Sequence, residues 1–240
     1  DDMYGLPNSL VLLFSDCVNL VRHKMYYDEN SEVAIPQTFE QLCKDFEKKL
    51  FKWRSEWIFF KSDAPQEFLD DTVEALYYHQ NIFYNAIIIY YFTIVRNVKC
   101  SILEKYCAVV LENCVLLLRS IKDKQVPIVP VIWGAFIGGC AATEEKQLEY
   151  KQWFQDLADS NKFSKYWLSR QIMMEVFRRR DNGEDNDNWV NVVKEWGVNI
   201  MLSYQFIYIY LCNKPVCRIE LAVLHIKDIM YFLTPYRGNR

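Results

Sequence analysis

The most catalysis-like spacing in this chain is the acidic run Phe68-Leu69-Asp70-Asp71-Thr72-Val73-Glu74. Hard cations such as magnesium require clustered carboxylate oxygens, and Asp70, Asp71 and Glu74 would supply them. The same acids also suit the first turns of a helix capped at Asp63, where the positive end of the helix dipole favours negative charge. Acid–base chemistry has little else to draw on. The three histidines, His23, His79 and His225, have no Asp, Ser or Cys at triad spacing, and His79 reads as a core residue. The chain holds no GxSxG, P-loop, dinucleotide fingerprint or HExxH. No residue is assigned a catalytic role.

Eight cysteines raise the question of zinc or disulfides. No CxxC pair occurs, and no Cys/His spacing suits a tetrahedral site. Cys100, Cys107 and Cys114 recur every seven residues, so on one helix neighbours would lie roughly 10 Å apart along the axis. They belong to the apolar series Cys100, Leu103, Cys107, Val110, Cys114, Leu117 and Ile121, a seam in which free thiols act as small core hydrophobes. The expectation is reduced, structural cysteines in an intracellular protein with no metal site.

Charge argues in the same direction. With 28 basic and 31 acidic residues the net charge is −3, which disfavours phosphate-driven binding to nucleic acid by this chain. The basic triplet Arg178-Arg179-Arg180 sits beside Asp181, Glu184, Asp185 and Asp187, acids placed to neutralise it. The longest apolar runs, 83–95 and 198–212, contain Asn, Ser or Gln. They fall short of the roughly 20 residues a membrane span needs, so a soluble chain is expected.

Hydrophobic periodicity near 3.6 residues and punctuation by proline define the elements that would carry these groups. Helices are expected over about 8–27, 38–60, 63–98, 99–122, 143–158, 165–180, 189–211 and 218–233. Thr38 with Gln41 reads as a capping box, and Phe39, Leu42, Phe46, Leu50 and Trp53 as the inward stripe of the second helix. Strict alternation bounded by turn dipeptides is absent. The fold class is therefore all-α: one domain over 1–240, about eight helices packed as antiparallel pairs.

One stretch stands apart from ordinary amphipathic helix. Three of the seven glycines, Gly134, Gly138 and Gly139, fall in the uncharged run Trp133-Gly134-Ala135-Phe136-Ile137-Gly138-Gly139-Cys140-Ala141-Ala142. It reads as a buried helical turn in which missing side chains let backbones approach closely. Thr143 then reads as the N-cap of the next helix, with Glu144 and Glu145 in its first turn.

With the helices placed, four segments resemble one family in order. They are Tyr4-Gly5-Leu6-Pro7-Asn8-Ser9-Leu10, the helix from His79 through Ala86-Ile87-Ile88-Ile89-Tyr90 to Arg96, Trp133 to Glu145, and Val176-Phe177-Arg178-Arg179-Arg180-Asp181 with Asn188-Trp189 and Gly197. The family is the fungal-specific transcription factor domain found C-terminal to a zinc-cluster (Zn2Cys6) DNA-binding domain. Departures occur at Gly134, where the family usually has Pro, Gly138 (Ala), Ala141 (Glu) and Phe177 (Trp). A competing resemblance comes from the acids at 70–74, which are similar to the DDxxE motif of class I terpene synthases, all-helical magnesium enzymes. The second metal motif of those enzymes is not matched, since Asn186-Asp187 is followed by Val190 and Lys194 at the Ser/Thr and Glu positions.

The resemblance to the regulatory domain implies transcriptional control in the nucleus, by activation and repression, of amino-acid and in particular arginine metabolism genes. It implies MADS-box transcription factors and other regulators as partners. Zinc and DNA contact would be confined to the separate cluster domain, with no membrane role. The domain would either sense an effector or serve only to dock partners. If arginine is the effector, its guanidinium needs one or two carboxylates, with Glu74, Glu104, Glu112 and Glu175 as candidates on otherwise apolar helices. Arg96 is the candidate for the ligand's carboxylate, and Trp133 for a stacking wall. Arg96 with Glu175 can equally form an internal pair with no ligand. Gly134, Gly138 and Gly139 would be the joint along which helices shift.

Overall fold

The protein is described here by a computed structural model covering residues 6–62, 71–124, 132–160 and 164–198. Helix α1, Asn8–Glu29, follows Pro7, whose carbonyl accepts the N–H of Leu10. It buries Leu10, Leu13, Cys17, Leu20 and Val21 on one face. Asn30 ends it, donating from both its backbone N–H and its side chain to the Tyr26 carbonyl.

Helix α2, Gln37–Ser62, starts one residue before Thr38, so the expected capping box does not form; Gln41 donates to Asp45 instead. Its buried stripe is Phe39, Cys43, Phe46, Leu50 and Trp53. Leu42, expected inside, is exposed, because the buried row steps from Phe39 to Cys43 by four residues rather than three.

The centre of the fold is α3, Asp71–Ile94, which packs on α1, α4 and α5. Ile87, Ile88 and Ile89 are all fully buried, so this helix is enclosed around its circumference. Each such side chain contributes about 1.5–3 kcal/mol relative to an exposed one. The helix stops at Ile94, short of the expected Val98. Asn97 adopts φ +51°, a left-handed conformation incompatible with continued α-helix. The Val98 N–H turns back to the Phe92 carbonyl. The expected start at Asp63 lies outside the described residues.

A 3-10 turn at Cys100–Leu103 leads into α4, Glu104–Asp123. Cys107, Val110, Cys114 and Leu117 form its buried seam, while Cys100 lies in the preceding turn and is half-buried. Helix α5, Ile132–Ala141, buries every residue from Trp133 onward. Helices α6, Glu144–Ser160, α7, Ser164–Asp181, and α8, Trp189–Trp196, complete the fold. The Asn188 side chain caps α8 by accepting the Val190 N–H. Gly197 closes it at φ +60°, a conformation that suits glycine after a helix end, so the helix expected to reach residue 211 ends at Trp196. The helix expected at 218–233 lies outside the described residues.

No strand forms among the described residues, and the domain is all-α. None of its described helices is long and apolar enough to cross a membrane.

Candidate functional site

Helix α5 is short, apolar and bounded by four neighbours, α3, α4, α6 and α7. Its glycines lie where those neighbours come closest. A Cβ on Gly134 would meet Ile82 Cγ2 of α3 at 2.5 Å and the Ile82 carbonyl oxygen at 3.3 Å. On Gly138 it would meet Tyr150 Oη of α6 at 2.4 Å and Val110 Cγ1 of α4 at 2.9 Å. On Gly139 it would meet Met173 Sδ of α7 at 2.5 Å. Tyr150 is held in place by a hydrogen bond from its hydroxyl to the Cys107 carbonyl, 2.8 Å.

Arg180, near the end of α7, secures the exit of α5. Its Nη1 donates to the Ala142 carbonyl at 2.9 Å and its Nη2 to the Cys140 carbonyl at 3.0 Å. Its Nε donates to Asp187 Oδ2 at 2.9 Å, and Cys100 Sγ lies 3.7 Å from Nη2. One guanidinium thus ties α7, the C-terminal end of α5, the 3-10 turn and the loop before α8. A cation at the carbonyl end of a helix also opposes the negative end of its dipole.

These elements enclose a cavity of about 920 Å³. Its walls come from three stretches distant in sequence: the end of α3 with residues 97–101, the end of α5 with the start of α6, and Arg180 with residues 185–191. Stretches of the same helix, glycine run and arginine-to-tryptophan segment that carry the sequence resemblance therefore meet here.

The six residues suggested for arginine recognition are not assembled at this place. Glu74 accepts from Tyr78 Oη at 2.5 Å and from Lys124 Nζ at 2.9 Å, and Asp71 accepts from the same Lys124 at 2.7 Å. Those hydrogen bonds hold the Glu74 carboxyl below its usual range, that from Tyr78 foremost. Two of the three acids of the DDxxE-like run are thus bound to an internal ammonium; Asp70 lies outside the described residues.

Arg96 faces α2, bonding Glu40 through two nitrogens, at 2.7 and 3.3 Å, and Glu47 through Nε at 2.6 Å. It forms no pair with Glu175, which instead takes Arg178 and Arg179. Glu104 accepts the Thr143 N–H at 2.9 Å, while its Oε1 is buried with no hydrogen-bond partner. Glu112 is exposed on α4. Trp133 is buried edge-on among Phe14, Phe83 and Tyr90, with ring centroids 4.7–5.8 Å away. Among the described residues no hydrogen bond, ion pair or ring contact joins any two of the six.

Sequence reasoning passed over Arg180 and Asp187 as binding-site residues, treating the basic triplet as a neutralised patch. The neutralisation is real in part: Arg178 bonds Glu184 and Arg180 bonds Asp187. Glu175, Glu195 and the Asn186 carbonyl take the remaining contacts of Arg178 and Arg179. The available signal was the arginine pattern itself, since three adjacent arginines on one helix point in three directions and only one can reach α5.

Comparison with known proteins places this geometry. A family model described as the Fungal specific transcription factor domain matches residues 1–201. Over 205 residues the chain is 47% identical to the Arginine metabolism regulation protein II of Saccharomyces cerevisiae, covering 85% of this chain and 23% of that protein. The chain therefore spans less than a quarter of that relative's length. No solved structure matches. Four resembling segments in order, a helical fold to house them and these two matches lead to one conclusion: the chain belongs to the fungal-specific transcription factor domain family.

Proposed function

We propose that this chain is the regulatory domain of a nuclear zinc-cluster transcription factor that adjusts arginine metabolism genes, activating some and repressing others, in response to a small-molecule effector. The observation that carries the reading is the 47% identity, over most of the chain, with a protein named for the regulation of arginine metabolism. The cavity at the end of α5 supports an effector role. Its volume lies in the range of small-molecule sites, about 300–1,000 Å³, and its walls come from the elements that α5 joins. In this reading arginine is the effector, zinc and DNA contact belong to a separate cysteine-rich cluster of the longer protein, and the domain docks MADS-box and other regulators. Its work is a change of helix arrangement and not bond-making.

The test is transcription from an arginine-responsive promoter in a fungal host that lacks its own factor and carries the full-length gene for this one. Arginine is expected to change reporter output, and removal of residues 1–201 is expected to abolish that change. An arginine response that persists without the segment would overturn the reading. Sensing is separated from docking by thermal stability: effector at 100 times its dissociation constant adds about 2.7 kcal/mol. A flat response to every amino acid, with a MADS-box partner still captured, would reduce the domain to docking alone.

A further inference from the structure

The charges around the α5 cavity do not cancel. Arg180 contributes no open charge, because Asp187 and two carbonyls at the end of α5 already hold its guanidinium. Lys99, exposed at the wall, is the other cation lining the space. Against it stand Glu144, Glu145 and Asp185, exposed carboxylates that make no hydrogen bond or ion pair among the described residues. Trp189, 9% exposed, supplies the accessible apolar wall; Ile89 and Ile137 border the space but are buried.

Arg180 also shows what the end of α5 accepts. A planar guanidinium sits there already, its Nε on a carboxylate and its two Nη atoms on backbone carbonyls, 2.9–3.0 Å away. An open space of about 920 Å³ beside it carries surplus acid.

We infer that this cavity is the effector pocket and takes a small organic cation, its ammonium or guanidinium group held by Glu144, Glu145 and Asp185 and its hydrocarbon stem laid against Trp189. The inference rests on the effector-sensing reading above and deepens it by assigning the site. It moves recognition away from Glu74, Arg96, Glu112 and Glu175. A cation bound there bears on the end of α5, whose glycine faces touch α3, α4, α6 and α7, so occupancy is felt by the helix that joins the domain.

The experiment is calorimetric titration of the full chain with arginine, lysine, agmatine, citrulline and glutamate. Arginine or agmatine is expected to bind, and citrulline, which matches arginine in shape without its charge, at least tenfold more weakly. Asp185→Asn and Glu145→Gln, at exposed positions with circular dichroism unchanged, are each expected to weaken the cation about five- to tenfold. Ser101→Trp, at an exposed lining position, is expected to abolish binding, and Glu112→Gln to leave it unaltered. Binding of cations that these cavity variants do not affect would overturn the site and leave the sensing reading intact. Equal binding of citrulline or glutamate would overturn the ligand class. No binding of any compound, while the full-length factor still answers arginine in the reporter, would overturn the inference alone; loss of both would end both.

Discussion

Arg96 and Glu40 form a two-pronged ion pair, Nη1 to Oε2 at 2.7 Å and Nη2 to Oε1 at 3.3 Å, across 56 residues of chain. The same guanidinium bonds Glu47, whose Oε1 also accepts from Tyr91 Oη at 2.9 Å. The end of α3 is thereby fastened to α2 by a planar donor meeting carboxylates, a geometry that lysine cannot reproduce.

Replacing Arg96 tests that fastening. Arg96→Leu leaves the half-buried Glu47 with the Tyr91 hydroxyl as its remaining hydrogen-bond donor among the described residues, and is expected to cost about 1–2 kcal/mol in urea unfolding. Arg96→Lys is expected to recover only part of the loss. Full recovery with lysine would show that charge alone matters.

The three glycines of α5 are expected to differ in their tolerance of alanine. Gly138→Ala collides with Tyr150 Oη and Val110 together and disturbs a buried hydrogen bond, for an expected loss of about 2–4 kcal/mol. Gly134→Ala presses on Ile82, including its backbone oxygen, and is expected to be intermediate. Gly139→Ala meets chiefly the flexible end of Met173 and is expected to be the mildest. Thermal midpoints of the three variants give the order directly, and a reversal of Gly138 and Gly139 would contradict the packing described.

Acid sensitivity has a named contributor in Glu175. Hydrogen bonds from Arg178, and then from Arg179, pull its pKa from 4.5 down to about 2. Its folded-state pKa lies below the unfolded one, so its stabilisation is complete above pH 4.5 and is lost as the pH falls from there toward 2. Glu175→Gln is expected to flatten the pH dependence of the unfolding midpoint in that window. A slope there identical to wild type would remove Glu175 from the account.

Thiol chemistry gives an independent check on burial. Burial pushes up the pKa of Cys17, Cys107, Cys114 and Cys140, leaving little thiolate at neutral pH. Iodoacetamide at pH 7.5, read by peptide mass mapping, is expected to leave these four unmodified in the native protein and to label all of them in denaturant. Rapid native labelling of Cys107 or Cys114 would contradict the α4 seam.

Most of the helical architecture was legible in the residues, because apolar periodicity and proline or glycine punctuation act locally. The buried glycine run and the α4 seam at Cys107, Val110, Cys114 and Leu117 are examples. What escaped was set by single residues or by distance. Asn97 and Gly197, each in the left-handed region, ended helices whose apolar pattern ran on. Leu42 and Cys43 differ by one step of rotation, and polarity alone chose wrongly between them. The partners of Arg96 and Glu74 were hidden for a plainer reason: Glu40 and Lys124 lie 50 or more residues away, where sequence spacing carries no geometric information.

Bare glycine faces also govern which displacements α5 permits. Ile82, Tyr150 and Met173 occupy the hollows left by the missing methyl groups, so turning the helix about its axis would drive its own side chains into them. Gliding lengthwise is opposed by the same three side chains, so α5 is keyed to its neighbours in both directions. A push received at its carbonyl end would therefore be handed to four surrounding helices at once along a rod about 15 Å long.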